Sequence, residues 1–350
     1  MSSNFNYKIA VVTPTQRDDF YVDTVLDGLS ELQKENPDLE FYYPDYYPLS
    51  DNPTYPTPKG FSKEARMSRE KLLSFAKSAD LIILGHGKYG IDYDFVEEIG
   101  GWNKTVFIDG SEIGKNKWRD LTLQLEIIRG TYEGPGAPNK EMQKKCRLYF
   151  RREKPYTNGM IPFPLGIESR YSKYYDSSKE KDIDFACMFG QEDFPLTRKY
   201  AGELVEKFCK KNGFTYHTKK THKLPISRGP LSQEKYLKIL ARTKVGISTG
   251  AAGYDSRRFW EILGNNCIVI AERFDLFEPD SDTMNYKRIF QYNNLYDLEY
   301  QLEEVGEFLR NGYDQKDLDA EYQEILKRHS TKARVMTIID EARKIGILRN

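Results

Sequence analysis

The sequence predicts an α/β protein of two parallel-sheet domains, and three observations carry that expectation. The chain is 350 residues long, too long for one typical core and about right for two. Short apolar runs alternate with stretches of helical periodicity, the pattern of βαβ units. Those runs are continuous rather than alternating, as strands buried on both faces are. Composition is that of a globular protein, 39% hydrophobic and 30% charged. The 53 basic and 53 acidic residues balance, so no global field draws the chain to nucleic acid or a membrane surface. No apolar run approaches the roughly 20 residues of a membrane helix. The start, "MSSNFNYKIAVV", lacks a secretory pattern. Cys146, Cys187, Cys209 and Cys267 have no metal-ligand spacing. The expectation is reduced thiols, a cytoplasmic location and no metal site. The 25 tyrosines serve ordinary packing or, with their apolar ring and polar tip, a cleft for sugar-like ligands.

In order along the chain, "YKIAVV" (7–12) reads as a strand. Apolar residues at helical spacing follow, Val22, Val25, Leu26, Leu29 and Leu32. "LEFYYPDYYPL" is strand-like but cut by prolines, and 49–61 reads as a loop with Pro53, Pro56 and Pro58. A helix is predicted over 62–79, a strand at "DLIILG", a short helix at "DYDFVEEIG" and a strand at "KTVFIDG". The stretch from 131 is rich in Gly, Pro and charge, and places the domain junction near 165–180. Strand and helix alternation then resumes. "DIDFACMFG" is a strand, and the helix after it stops at Gly213. A further helix takes Ser232 as its candidate N-cap. "VGIST" and "CIVIAE" are strands flanking the helix "SRRFWEILGNN", and the tail is helical.

Two stretches carry candidate chemistry. Gly85-His86-Gly87-Lys88-Tyr89-Gly90 fits the G-x-G-x-x-G pattern, with Asp109 at the end of the next strand where a ribose-binding acid would sit. An NAD-dependent oxidoreductase is one reading. Against it, the pattern does not follow the first strand, its helix is short and acidic, and His-x-Lys-Tyr crowds the backbone. A tight strand-to-helix turn explains the same glycines. His86 is a candidate base on this loop, because histidine titrates near working pH; Asp18 and Asp19, after the first strand, are further candidates.

The second stretch runs from Ser248 to Asp275. A strand enters the small-residue loop Gly250 to Gly253, and Asp255 or Ser256, after Tyr254, caps the next helix. A helix N-terminus is an anion site. Arg257 and Arg258 sit in its first turn, where they oppose the dipole unless an anion binds. Glu261 lies on the face of Arg258 one turn later, placed to accept two ribose hydroxyls. The alternative is an amphipathic surface helix with an Arg–Glu pair. No D-x-D motif stands at a strand end; "DYD" (92–94) and "DSD" (280–282) read as surface acids. "KKCRLYFRREK" (144–154) and "HTKKTHK" (217–223) are basic runs, either solvated or able to hold a phosphate backbone.

"RRFWEILGNNCIVIAERFDLFEP" resembles the donor segment of the GT-B glycosyltransferases, in flavour the CgeB-like group-1 transferases and the phage DNA β-glucosyltransferase. The resemblance is specific over about 25 residues and implies two Rossmann-like domains facing across a cleft. It implies an N-terminal acceptor domain (1–170), a donor domain (171–330), and a C-terminal helix (331–350) crossing back to the first. It implies that Arg258 contacts donor phosphates and Glu261 the ribose. "CMFGQEDFPLTRKY" resembles the first strand and glycine loop of the donor domain, giving Gly190 and Arg198 as phosphate contacts; "VFIDGSE" gives Asp109 as base. Many retaining members carry a Glu eight residues before the second; that position is Gly253 here, so the stereochemical outcome stays open. The implied activity is metal-independent, hexosyltransferase-like transfer from a nucleotide-diphosphate sugar, UDP foremost, to a glycan, lipid-linked or protein hydroxyl. A DNA-base glucosyltransferase is the alternative of the same chemistry.

Overall fold

In the computed structural model the described residues are 5–13, 19–52, 55–86, 93–112, 121–129, 131–134, 136–154, 156, 159–189, 196–218, 233–250, 253–273, 276 and 284–349. The chain divides into two units, Met1–Ser169 with His329–Asn350, and Arg170–Arg328.

The first unit opens with β1 (Lys8–Val12), α1 (Phe20–Glu35) and β2 (Glu40–Pro44). A hairpin of β3 (Ser50–Asn52) and β4 (Tyr55–Pro58) follows where the sequence predicts a loop. Next come β5 (Arg66–Met67), α2 (Arg69–Ser78) and β6 (Leu81–His86). The helix predicted from 62 begins only at α2, because 66–67 join the sheet and the Ser68 side chain accepts the Lys71 N–H at 3.5 Å. The unit continues through α3 (Tyr93–Ile99), β7 (Thr105–Asp109), α4 (Leu121–Ile128), α5 (Lys140–Lys145), β8 (Leu148–Arg151) and β9 (Met160–Pro162). The Gly- and Pro-rich stretch thus supplies two strands; Pro162 is tolerated because β9 is an edge strand. The seven strands are all parallel, in the order β5-β2-β1-β6-β7-β8-β9. Ile9 to Val12, Leu81 to Leu84 and Val106 to Ile108 are buried, as continuous apolar strands between two helix layers should be.

The second unit holds β10 (Ile183–Cys187), α6 (Thr197–Asn212), β11 (Tyr216–Thr218), α7 (Gln233–Ala241), β12 (Thr243–Ser248), α8 (Arg257–Gly264), β13 (Ile268–Glu272) and β14 (Ile289–Tyr292). Helices α9 (Leu295–Asn311) and α10 (Gln315–His329) complete it. Its sheet is parallel, ordered β11-β10-β12-β13-β14. Gly213 ends α6 with φ 75°, the left-handed cap that glycine adopts without strain. Phe185, Val245, Ile247 and Ile270 of the sheet share one core with Val205 and Phe208 of α6 and Leu298 and Leu302 of α9.

The last helix, α11 (Thr331–Lys344), returns to the first unit and packs on α1. A β-carbon at Gly28 would stand 2.3 Å from the Thr331 carbonyl oxygen, so only glycine allows this approach. Ile167 and Ser330 form a parallel bridge at the same place. Among the described residues no helix is long and apolar enough to cross a membrane.

Candidate functional site

The sheet of the second unit changes its direction of growth at β10, with β11 added on one side and β12 on the other. Such switch points open a crevice at the carboxyl ends of the strands. Phe189 stands just beyond β10, and α6 and α8 begin at this edge.

The Phe189 ring is buried, and two first-turn arginines meet it. The guanidinium carbon of Arg258 (α8) lies 4.7 Å from the ring centroid and that of Arg198 (α6) 5.5 Å. Burial first, and the Arg258 charge second, lower the Arg198 pKa to about 10, which still leaves Arg198 charged at neutral pH. The Arg258 Nε is buried and has no hydrogen-bond partner among the described residues. The opposing charge is Glu272, at the end of β13, whose Oε2 accepts the Gly250 N–H at 3.1 Å.

Among the described residues the start of α8 has no side-chain cap. Ser256 holds the cap position but makes no capping bond; its Oγ lies 3.2 Å from the Ser248 Oγ. Asp255, the other expected cap, is buried and accepts the Trp260 indole N–H at 2.8 Å. Gly253 and Tyr254 lie in the turn before α8. The positive end of α8 and two guanidiniums therefore share one edge, an arrangement that attracts anions.

Arg257 and Arg258 divide. Arg257 Nε donates to the Tyr171 hydroxyl at 3.1 Å and lies 3.7 Å from Glu261. The sequence groups it with the phosphate contacts; the structure commits it to Tyr171 and Glu261, because successive helical residues point about 100° apart. Glu261 is buried. Burial and then the Glu261 charge push the Tyr236 phenol of α7 well above its ordinary value. Phe189 and Glu272 escape sequence reasoning, since no local motif marks either.

In the first unit, Asp109 ends β7 and is buried. Its Oδ2 accepts the Tyr149 hydroxyl at 2.6 Å and pairs with the fully buried Arg151 guanidinium; its Oδ1 accepts the Ser111 N–H at 2.9 Å. Arg151 also donates to the Gly136 and Glu153 carbonyls, at 2.7 and 3.0 Å. Burial, then the Asp109 charge, raises Tyr149 beyond the ordinary phenol range. His86 ends β6 in register with Asp109, so the two base candidates sit on neighbouring strand ends; the His86 side chain lies outside the described residues. Asp19 is a helix cap, its Oδ1 accepting the Tyr21 and Val22 N–H groups at 2.8 and 3.3 Å. A β-carbon at Gly85 would stand 2.5 Å from Val22 Cγ2, so packing against α1 accounts for this glycine. Residues 87–90, Asp18, Gly190 and Ser232 lie outside the described residues.

The basic run 144–154 is largely spent inside its own unit. Lys145 pairs with Glu97 and Glu141 at 2.6 and 3.1 Å, Arg151 with Asp109, and Arg152 with Glu112.

No protein-family model matches the chain, and no curated protein matches it. Solved structures do. An alpha-glucosyltransferase in complex with UDP and a 13-mer DNA containing a central A:G mismatch aligns at a TM-score of 0.61 and 12% identity, over 97% of this chain and 99% of that one. An alpha-glucosyltransferase with UDP and a 13-mer DNA containing an HMU base aligns at 0.53 and 11%, over 96% and 98%. A glycosyltransferase from Rickettsia africae aligns at 0.50 and 11%, over 99% of both chains. At such identities the likeness is one of fold: two Rossmann-like units of the GT-B type.

Proposed function

We propose that the chain is a glycosyltransferase that takes a sugar from a nucleotide-diphosphate donor, UDP-linked foremost, and moves it to an acceptor hydroxyl. One observation carries the reading. Two cations, Arg198 and Arg258, are held together on Phe189 beside the uncapped start of α8. Like charges so placed repel, and a bound diphosphate relieves that cost.

The roles follow from position. Arg258, Arg198 and the α8 N-terminus stabilise the diphosphate as negative charge develops on the leaving group. Gly253 and Tyr254 supply the turn beside it, and Gly190 is kept as a phosphate contact on the sequence resemblance alone. Glu261 accepts the ribose hydroxyls. A base removes the acceptor proton as that oxygen attacks the anomeric carbon. We assign the base to His86 over Asp109, because both Asp109 oxygens already accept hydrogen bonds. No further cofactor is required by this scheme.

Thermal-shift and calorimetric titration against UDP, GDP, ADP, TDP, CDP and their sugars test the reading. A selective hit that disappears in Arg258→Ala supports it; no stabilisation by any member sinks it. For the acceptor, a glycan, lipid-linked or protein hydroxyl is the first reading. A DNA-base hydroxyl is the second, favoured by two of the structural neighbours having been captured with UDP and DNA. Duplex binding that weakens steeply with salt would select DNA; salt-independent binding of a neutral oligosaccharide would select the glycan.

A further inference from the structure

Seven large apolar or aromatic side chains stand exposed among the described residues, and four of them gather on two helices of the second unit. Leu196 holds the cap position of α6, and Tyr200 follows one turn along it. Tyr296 and Tyr300 stand one turn apart on α9, 84% and 68% exposed. Each lies two residues, about 200° of helix, from the buried Leu298 and Leu302, so both face away from the core. The two helices pack together. Lys211 pairs with Glu303 at 3.7 Å, and Arg310 donates to the Asn212 Oδ1 at 2.9 Å. Both helices follow strands of one parallel sheet and so run the same way, which sets their amino halves side by side. We propose that the ridge of Leu196, Tyr200, Tyr296 and Tyr300 is the contact surface of a two-fold dimer, α6 of one copy lying on α9 of the other.

Clustered exposed apolar groups mark an interface where scattered ones do not. Charge commits this one to a second copy of the chain. Apart from the buried Arg198, α6 carries four basic and two acidic residues, whereas α9 carries one basic and five acidic. A two-fold contact must be complementary to itself. Laying a basic helix on an acidic one across an apolar ridge meets that condition twice. Part of the charge is spent within the unit, where Lys210 pairs with Glu206, Lys211 with Glu303 and Arg310 with Glu307. Lys199 and Lys207 on α6, and Glu299 and Glu304 on α9, are exposed and make no ion pair among the described residues. They are left for the partner copy. The ridge supplies about 500 Å² per copy, short of the roughly 800 Å² that each partner gives a standard interface. The dimer is therefore a weak one, with a dissociation constant on the order of micromolar.

Sedimentation velocity of the full chain over about 1–300 μM tests the proposal. The mean sedimentation coefficient is expected to rise with concentration from that of one chain toward that of two. Tyr296→Glu with Tyr300→Glu changes only exposed side chains and is expected to weaken self-association about tenfold or more. Charge reversal reads the pairing of the helices. Lys199→Glu with Lys207→Glu is expected to weaken association about tenfold, and Glu299→Lys with Glu304→Lys to do the same. All four changes in one chain restore it, because they exchange the signs of the two apposed helices. A coefficient that does not change with concentration overturns the proposal. So does association that survives the tyrosine changes, or that stays weak with all four charges reversed. A chain that stays monomeric, and whose melting temperature a neutral oligosaccharide raises unless the tyrosines are replaced, overturns it in favour of a glycan on the same ridge.

Discussion

The two sheet edges treat buried charge in opposite ways. In the first unit, Asp109 is answered by Arg151, Tyr149 and the Ser111 amide. In the second, Arg198 and Arg258 meet one ring, and burial and the Arg258 charge lower the Arg198 pKa against the pull of Glu272. A charge answered from within stabilises the fold and has little left for a ligand. Like charges held near one another cost stability unless something negative offsets them.

The sharpest way to break this contrast is to remove the answered charge. Asp109→Asn leaves the Arg151 guanidinium buried without its counter-ion. Breaking such a pair costs about 3–5 kcal/mol, which for a unit of this size lowers the melting temperature by roughly 10 °C. Calorimetric melting checks it; a transition within about 2 °C of the unaltered protein would show that Arg151 does not depend on Asp109.

That Arg151 and Tyr149 serve Asp109 was not legible in the sequence. They lie on the adjacent strand, and one strand does not announce its neighbour's register. The strands themselves were legible, because a parallel sheet covered on both faces demands continuous apolar runs such as Leu81 to Leu84. The end of α6 was legible because Gly213 alone suits a left-handed cap. The helix start that carries Arg257 and Arg258 could be read from the sequence. Which of Arg257 and Arg258 meets Phe189 and which meets Tyr171 could not, since that depends on how α8 is rotated against the sheet. Phe189 was invisible for the same reason that it matters: its partners arrive through the order of the strands. The β3–β4 hairpin was hidden by its prolines, which lower strand propensity but are tolerated in a short isolated pair.

Asp27 sharpens the comparison, being a buried acid in the first unit with no paired cation among the described residues. Its oxygens accept the Ser169 N–H at 2.9 Å and the Ser169 and Thr331 hydroxyls, each at 2.6 Å, tying α1 to the chain on either side of the second unit. Burial first, then the Glu168 charge, raises its pKa from 3.8 to about 6. Between those values the folded chain holds a proton that the unfolded chain has lost. The stabilisation is therefore complete below pH 3.8 and is lost as the pH rises through about 6. At about 1.4 kcal/mol per pH unit the loss is about 3 kcal/mol. Asp27→Asn is expected to flatten that part of the stability profile, measured by urea unfolding at a series of pH values. An identical slope in the two proteins would show that Asp27 does not set it.

At the other edge, Arg258→Ala is expected to leave the melting temperature of the unliganded protein unchanged or slightly raised, because it removes a repulsion. The same change is expected to weaken nucleoside diphosphate binding by about 1.5–3 kcal/mol, the worth of a hydrogen bond to a charged group. A loss of stability without ligand as large as that of Asp109→Asn would erase the distinction between the two edges.

The smallest expected effect separates phosphate from ribose within the second edge. Glu261→Gln keeps the size of the side chain and removes the charge that faces Arg257 at 3.7 Å. A ribose hydroxyl bound to a carboxylate forms a charge-assisted bond, about twice as strong as one to a neutral amide. The glutamine should therefore lower UDP affinity by about 1 kcal/mol and leave pyrophosphate affinity as it was. Replacing UDP by its 2′-deoxy form in the unaltered protein should cost a similar amount, and in Glu261→Gln much less, because the two changes remove the same bond. Additive losses in that double cycle would place the ribose elsewhere and leave Glu261 as the counter-ion that keeps Arg257 out of the crevice.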